Sequence, residues 1–410
     1  MVQIWSIWSW RTYWSPKRIS HRGNILAHRW ILQFCHSHYG PFTDVARQYA
    51  ALFQGTDFKV LTVYLTGESS ESVREGSASD EVIFLNIQPR QIRGLKLKAI
   101  GAFRKIVAER DFALVIAHRF KPIFIACCGS KLPVLGIHHG FGDYRRPMRQ
   151  HFARMFRQRL GLIGVSNAVR DEIRTCLPSW PGSRIETLYN RLDVEAVRAS
   201  FVSREAARKH LGLPEHGIVI GNVGRLHPDK DQATLIEGFA QALPHLPANS
   251  LLAIVGTGPL EHRLRQQAAR LGITDAVRFV GQIADARRYF TAFDLFVLSS
   301  DHEPFGMVLL EAMAAGVPVM ATDCGGAPEV IGNSDMLFGL RDSDSLSQKL
   351  TAHFGNALPS VADLCRKEGQ QRLERMFSDA SAREVFFGLS MTRPLLDSAV
   401  MCRQATQASR

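Results

Sequence analysis

Two clusters of side chains in the second half of this chain have the types and spacing to do chemistry. The first lies in SSDHEPFGMVLLEAMAAGVPVMATDCGGAPEVI, Ser299 to Ile331. Glu303 sits in His302-Glu303-Pro304-Phe305-Gly306, an abrupt strand-to-helix turn. Glu311 follows eight positions later, among Val308, Leu309, Leu310, Ala312 and Met313. An acid inside so apolar a run needs a partner. With the helix-start amides of Phe305 and Gly306 beside them, these acids suit a site that reads hydroxyl groups next to an anion. Surface charge at a helix start is the plainer alternative, because the helix dipole favours acids there anyway. An apolar run, Val317 to Ala321, a Gly-Gly turn and a third acid, Glu329, close the stretch.

The second cluster is cationic. In GNVGRLHPDKD a strand ends at Val223, Gly224 follows, then Arg225 and, five residues on, Lys230. Amides at such a turn face anions. Arg225 can grip phosphate oxygens in bidentate fashion, and Lys230 adds a mobile point charge. Asp342-Ser343-Asp344 lies in a polar stretch and reads as a loop or helix cap, so no metal site is expected.

In the first half, polar residues gather where strands end. LPVLGIHH ends in His138-His139-Gly140, and FALVIAH ends in His118, followed by Arg119. Gly40 and Asp44 follow the first strand, in CHSHYGPFTDVARQYA. Ligand sites of open parallel sheets gather at such strand ends. A histidine packed at a strand terminus is the alternative for His118, His138 and His139, and a helix-dipole acid for Asp44. Arg145, Arg146, Arg149, Arg154, Arg157 and Arg159 then alternate with Phe152, Met155, Phe156 and Leu160. That pattern is either a solvated helix face or a surface for anionic lipid or a phosphorylated acceptor.

These residues need elements to hold them. Short β-like runs at 30–36, 58–65, 81–87, 112–118, 132–139 and 161–166 alternate with helical spacing at 44–53 and 91–110, and 186–190 completes a first unit. A second series has strands at 217–224, 251–258, 276–283, 295–300 and 317–322, with helices at 231–243, 260–272 and 284–293. The fold class is therefore α/β, with two doubly wound parallel-sheet units joined near residue 200 around a cleft. The expected division is an N-terminal extension 1–28, an acceptor domain 29–198, a donor domain 199–375, and a C-terminal helix and tail 376–410.

Composition narrows the class. The chain has 410 residues, of which 46% are hydrophobic, enough for two sizeable cores. Its seven cysteines are odd in number and form no CxxC pair, which argues against a disulfide framework or zinc site and favours a reducing compartment. The net charge is +12, and residues 1–200 hold 29 Lys+Arg against 15 Asp+Glu. The whole excess therefore sits in the first half and implies an anionic partner. No 18-residue apolar stretch is present. The opening MVQIWSIWSWRTYWSPKR lacks the features of a signal peptide and reads as an interfacial segment or a poorly structured extension.

The Arg225–Lys230 spacing, followed by LIEGFA and the two-glutamate segment, resembles the donor-site signature of retaining family 4 glycosyltransferases (glycosyltransferase group 1) of the GT-B fold. The chain is similar in particular to lipopolysaccharide-core and surface-polysaccharide transferases. The resemblance covers about residues 29–375 and is strongest across 217–331. It implies two Rossmann-like domains facing a cleft and a nucleotide-diphosphate sugar as co-substrate, with no metal or cofactor required. It casts Arg225 and Lys230 as the diphosphate grip, His139 beside the transferred sugar, and Glu303 near the sugar's hydroxyls. Glu311 would accept from the ribose hydroxyls. Gly224, Phe305 and Gly306, together with Ile283 at the end of FVGQI, would add donor contacts through the backbone. Gly40, His118, Arg145 and Arg146 fall on the acceptor side. Two departures stand out: Gly40 alone stands where the family carries a glycine-rich turn, and Arg191 follows Asn190 where a glycine is usual.

The expected enzyme is a glycosyltransferase with a glycan or glycolipid acceptor, cytoplasmic and peripheral on the inner face of a membrane. A nucleotide-sugar epimerase of the same fold and a non-enzymatic nucleic-acid binder are the rivals. No RNA-binding signature, helix-turn-helix or zinc finger accompanies the basic charge, so nucleic acid is not an expected partner.

Overall fold

The protein is described by a computed structural model over residues 29–39, 42–355 and 359–395. The extension 1–28, Gly40 and residues 396–410 lie outside the described residues.

The first domain carries strands β1 (Arg29–Cys35), β2 (Phe58–Tyr64), β3 (Glu81–Phe84), β4 (Phe112–His118), β5 (Val134–His138), β6 (Leu160–Gly164) and β7 (Ile185–Thr187). They form one parallel sheet in the order β3-β2-β1-β4-β5-β6-β7. The second domain carries β8 (Val219–Val223), β9 (Leu251–Val255), β10 (Val277–Gly281), β11 (Leu295–Leu298), β12 (Val319–Thr322) and β13 (Leu337–Phe338). Their order is β10-β9-β8-β11-β12-β13, again parallel. Strands buried on both faces read as continuous apolar runs, and all of Leu295-Phe296-Val297-Leu298 is buried.

Strand order reverses between β1 and β4 in one sheet and between β8 and β11 in the other. At such switch points neighbouring loops diverge and leave a crevice at the strands' C-terminal ends. That topology puts Gly224-Arg225 after β8 beside Ser299-Ser300 after β11. It also puts His36 after β1 beside His118 at the end of β4.

The segment 91–110 is only partly helical: a short turn at Pro89–Ile92 precedes the helix Leu97–Glu109. Residues 284–293, expected as a regular helix, form a 3₁₀ segment, Ala286–Ala292. The helix Phe120–Gly129 was not expected, because its sequence FKPIFIACCG is apolar on most of its surface and has no polar face to show a period.

The chain crosses back at its C-terminal end. Helix Pro359–Met376 lies on the second domain, and helix Asp379–Gly388 docks on the first. There the Asp379 carboxylate accepts from Arg47 at 2.9 Å and from Arg191 Nε at 2.8 Å, and Phe386 packs edge-on against Phe53. Arg191, the departure noted above, is thus fully buried, held between Gln48 and Tyr49 of the first domain and Asp379. It serves the interdomain hub and makes no contact with the donor residues.

Candidate active site

The centre of the site is an ion pair made by topology. Lys230 Nζ lies 2.8 Å from Glu303 Oε2 and 3.3 Å from Ser300 Oγ. Ser300 Oγ donates to the same carboxylate oxygen at 3.2 Å, and the Ser299 hydroxyl holds the Lys230 carbonyl at 2.8 Å. Lys230 stands in a short 3₁₀ turn after β8 and Glu303 in the loop after β11, so the switch point brings them together across 73 positions. Arg225 is exposed beside them, 3.3 Å from Asp229. Gly224 is held by its N–H to the Val255 carbonyl, 3.0 Å.

Glycines let these loops nest. A Cβ at Gly256, in VGTG after β9, would strike the Gly224 carbonyl. A Cβ at Gly325 would strike the Glu303 carbonyl, and Gly325 also has φ of +57°. The Gly-Gly turn is therefore the backing plate of the HEPFG loop, fastened by Gly326 N–H to the Glu303 carbonyl at 2.8 Å.

Helix Met307–Ala314 begins at Gly306, whose φ of +100° turns the chain into it. Phe305 is buried just before it. The carboxylate of Glu311, on that helix, makes no hydrogen bond to any described residue. Its side chain is part-exposed on the cleft, yet desolvation around the carboxyl pushes its pKa up to about 7. The positive charge of Arg287 opposes this, and the negative charges of Asp44 and Asp285 add to it. Glu303 and Glu311 therefore have different surroundings: one is neutralised by a lysine, the other is held close to half-protonation at neutral pH. Asp44 belongs to the first domain, where its carboxylate also takes Gln48 Nε2 at 2.8 Å. Ile283 is part-buried near the end of β10.

On the first domain, His118 Nδ1 and His139 Nε2 lie 3.1 Å apart with rings stacked at 5.4 Å. Burial drives His118 well below the usual imidazole range, and burial with the nearby Arg119 charge takes His139 down to about 3. Both rings are neutral at physiological pH, and the buried Nε2 of His118 has no hydrogen-bond partner among the described residues. His138 has a different task. It is fully buried and binds Asp143 at 2.8 Å, which Arg149 also holds, so it locks the loop after β5.

The six arginines separate in the same way. Arg149 lies over the Phe120 ring at 4.2 Å, and Arg159 donates to the Leu132 carbonyl at 3.0 Å. Both are structural. Arg145 pairs with Glu172 at 2.7 Å and lines a cavity of about 310 Å³ with Phe141 from its own domain and His302 and Glu303 from the other. Arg146 is exposed at the start of helix Pro147–Phe156 and touches none of these groups. Among the expected site residues the structure thus brings together Gly224, Arg225, Lys230, Glu303, Phe305 and Gly306, with Arg145 across the cleft. Gly40 falls outside the described residues.

Ser300 and Gln232 escaped the sequence analysis, and Glu329, noted there as a third acid, has a role the sequence did not show. Ser300 completes the Lys230–Glu303 cluster. Gln232 fixes the Arg225 carbonyl at 3.0 Å. Glu329 crosses the domain interface: its two oxygens accept the backbone N–H groups of Asn167 at 2.7 Å and Ala168 at 2.8 Å, at the start of helix Asn167–Cys176. Serines and glutamines carry no signal by spacing alone, and a cross-domain cap has none.

Both halves of the chain match known proteins. The family model described as "Glycosyltransferase Family 4" matches residues 42–196, and that described as "Glycosyl transferases group 1" matches 203–370. The chain is 33% identical over 157 residues to the N-acetyl-alpha-D-glucosaminyl L-malate synthase of Bacillus anthracis, covering 38% of this chain and 40% of that one. It is 34% identical over 144 residues to the lipopolysaccharide core biosynthesis mannosyltransferase LpsB of Rhizobium meliloti, covering 34% and 41%. These matches span about two fifths of each curated relative. Among solved structures, a glycosyltransferase from Rickettsia africae ESF-5 superposes with a TM-score of 0.74 at 16% identity, covering 90% of this chain and 97% of that one. Anabaena Alr3699/HepE in complex with UDP-glucose superposes with a TM-score of 0.71 at 20% identity, covering 90% and 100%. With the two family models lying on either side of the cleft, the chain belongs to the group 1, family 4 glycosyltransferases and has their GT-B fold.

Proposed function

We propose that the protein transfers a sugar from a nucleoside-diphosphate sugar to a glycan or glycolipid acceptor, with retention of configuration, in the assembly of a bacterial surface polysaccharide such as lipopolysaccharide core. The observation that carries this is the Lys230–Glu303–Ser300 cluster at the β8/β11 switch point, with Arg225 exposed beside it. The similarity to LpsB and the UDP-glucose complex of HepE support it.

In this reading the diphosphate lies against Gly224, Arg225 and Lys230. Negative charge grows on the leaving phosphate as the glycosidic bond breaks, and the two cations are already in place to meet it. They supply the neutralisation that a metal would otherwise provide. The acceptor hydroxyl attacks from the face the diphosphate leaves, and a departing phosphate oxygen takes its proton. Glu303 orients Lys230 and stands where sugar hydroxyls can donate to its second oxygen. His139 is uncharged, so it can hydrogen-bond the sugar without adding positive charge at the anomeric centre. Glu311 receives the ribose hydroxyls. The basic first half suits an anionic acceptor at the inner face of a membrane, where the protein would be peripheral. Among the described residues no helix is long and apolar enough to cross a membrane.

The test is thermal shift and donor hydrolysis with a panel of UDP-, GDP- and ADP-sugars, without added metal. Stabilisation by one nucleotide series, lost in Glu311→Ala, is expected. A panel that leaves the melting temperature unmoved throughout would overturn the donor site.

A further inference from the structure

Three neighbouring segments of the first domain hold the charge excess. Residues 88–108 contain six Lys or Arg, 119–131 three and 145–159 six, and none of the three contains an Asp or Glu. Ring contacts join them into one face. Lys96 Nζ sits 4.5 Å from the Phe124 ring, Phe124 stacks on Phe152 at 5.1 Å, and Arg149 covers Phe120. The face is basic, yet large apolar side chains stand out from it. Leu95 is 71% exposed, Leu97 71%, Met148 78% and Met155 66%. Met148 and Met155 are seven residues apart on helix Pro147–Phe156, hence on one stripe of it. Exposed Arg93, Lys98, Arg154 and Arg157 surround them. Crowding by Lys121 and Arg149, on top of burial, lowers the Lys96 pKa, as expected of a face with too much positive charge for itself.

The face lies beside the acceptor side of the cleft. Loop 85–96 leaves the C-terminal end of β3, and helix Pro147–Phe156 follows the loop that begins with His139 at the end of β5. Both helices at the face begin at the sheet edge where His118 and His139 meet.

We propose that this face, loop 94–98 with helix Pro147–Phe156, docks on a bilayer containing anionic lipid. Leu95, Leu97, Met148 and Met155 enter the boundary between headgroups and acyl chains, and the surrounding lysines and arginines take the lipid phosphates. A nucleic-acid backbone would satisfy the charges but leave four aliphatic side chains in water, and a lipid surface satisfies both. The proposal rests on the glycolipid reading above and gives it an orientation: the acceptor mouth opens toward the leaflet that holds the acceptor.

The experiment is sedimentation of the full chain with phosphatidylcholine vesicles, with and without phosphatidylglycerol, at low and high salt. Wild type is expected to pellet with the anionic vesicles, weakly with the neutral ones and less at high salt. The double variant Leu97→Glu/Met148→Glu is expected to partition at least about tenfold less, because two buried apolar groups become two repelled charges. Both positions are exposed, so its melting temperature and its shift with nucleotide sugar should equal wild type. Three results overturn the docking face: no vesicle binding, equal binding to neutral vesicles, or full binding by the double variant, which would locate attachment elsewhere, as in the tryptophan-rich first residues. The donor shift is measured without vesicles, so failure of docking and failure of the transferase reading are told apart.

Discussion

Glu311 shows how a single carboxyl can make donor binding depend on pH. Burial holds its pKa near 7. In the proposed donor site, ribose hydroxyls would donate hydrogen bonds to it, which would favour the ionised carboxylate. Binding must therefore release a proton from the fraction still protonated, and affinity for the nucleotide sugar should rise by about tenfold between pH 6 and 8, as a carboxyl with a pKa of about 7 goes from roughly one-tenth to nine-tenths ionised. Calorimetry of wild type against Glu311→Gln tests this; an equally steep slope in the variant would assign the titration to another group. The free protein follows the opposite course. Between the ordinary glutamate pKa of 4.5 and about 7 the folded carboxyl keeps a proton that the unfolded chain has lost, so this group costs stability as pH rises through that window. Lys230 gives a sharper result. Lys230→Ala should lower turnover by about 10²–10³, the usual cost of one preorganised charge-stabilising group, while circular dichroism shows an intact fold. A rate within a few-fold of wild type would sink the electrostatic mechanism. At this scale the sequence was informative: Arg225, Lys230, Glu303 and Glu311 are legible because their types are rare beside apolar runs. The Lys230–Glu303 ion pair was not, since 73 positions separate its members and only strand order brings them together.

At the scale of elements, the loops after β8, β9, β11 and β12 form one nested unit, and two of its contacts invite prediction. Gly325 backs the Glu303 carbonyl in a conformation that side chains rarely adopt. Gly325→Ala must displace the HEPFG loop, and should cost about 1–3 kcal/mol of stability together with most activity. Glu329 caps a helix of the opposite domain with both oxygens. Its charge faces the positive end of the helix dipole, so it favours the arrangement in which the two domains meet. Glu329→Gln keeps the shape and loses the charge. Turnover should fall several-fold, while nucleotide-sugar affinity, set within the second domain, stays close to wild type. Comparable losses in both would mean that Glu329 shapes the donor site itself. The GGAPEVI segment was legible in the sequence as a Gly-Gly turn and a third acid, and nothing more. Its two functions depend on which backbone it touches, and that depends on the assembled second sheet and on the partner domain.

For the whole molecule, the question is what keeps two domains joined by a short linker in register. The described structure answers with the C-terminal crossing. Helix Asp379–Gly388 returns to the first domain, and its first residue forms ion pairs with two arginines there, Arg47 and Arg191. Arg191 is wholly buried, with its guanidinium over the Tyr49 ring and donating to the Gln48 carbonyl. Burial lowers its pKa, and Asp379 is the largest influence opposing that. The alternating strands and helices made the two-domain architecture legible in the sequence. The hub was not, because an arginine in place of a glycine near position 190 has no meaning until residue 379 is seen beside it. Removing one partner of a buried pair is costlier than the pair is worth, since the other charge stays behind unpaired. Asp379→Ala should therefore destabilise the protein by about 3–5 kcal/mol, read as a lower denaturation midpoint. Asp379→Asn retains a hydrogen-bond acceptor and should lose less. Nucleotide-sugar binding below the melting range should survive in both variants, because no donor residue touches the hub. A variant that melts like wild type would show that the domains are held mainly by Glu329 and by the aromatic contacts of Tyr189 with Phe305 and Phe377.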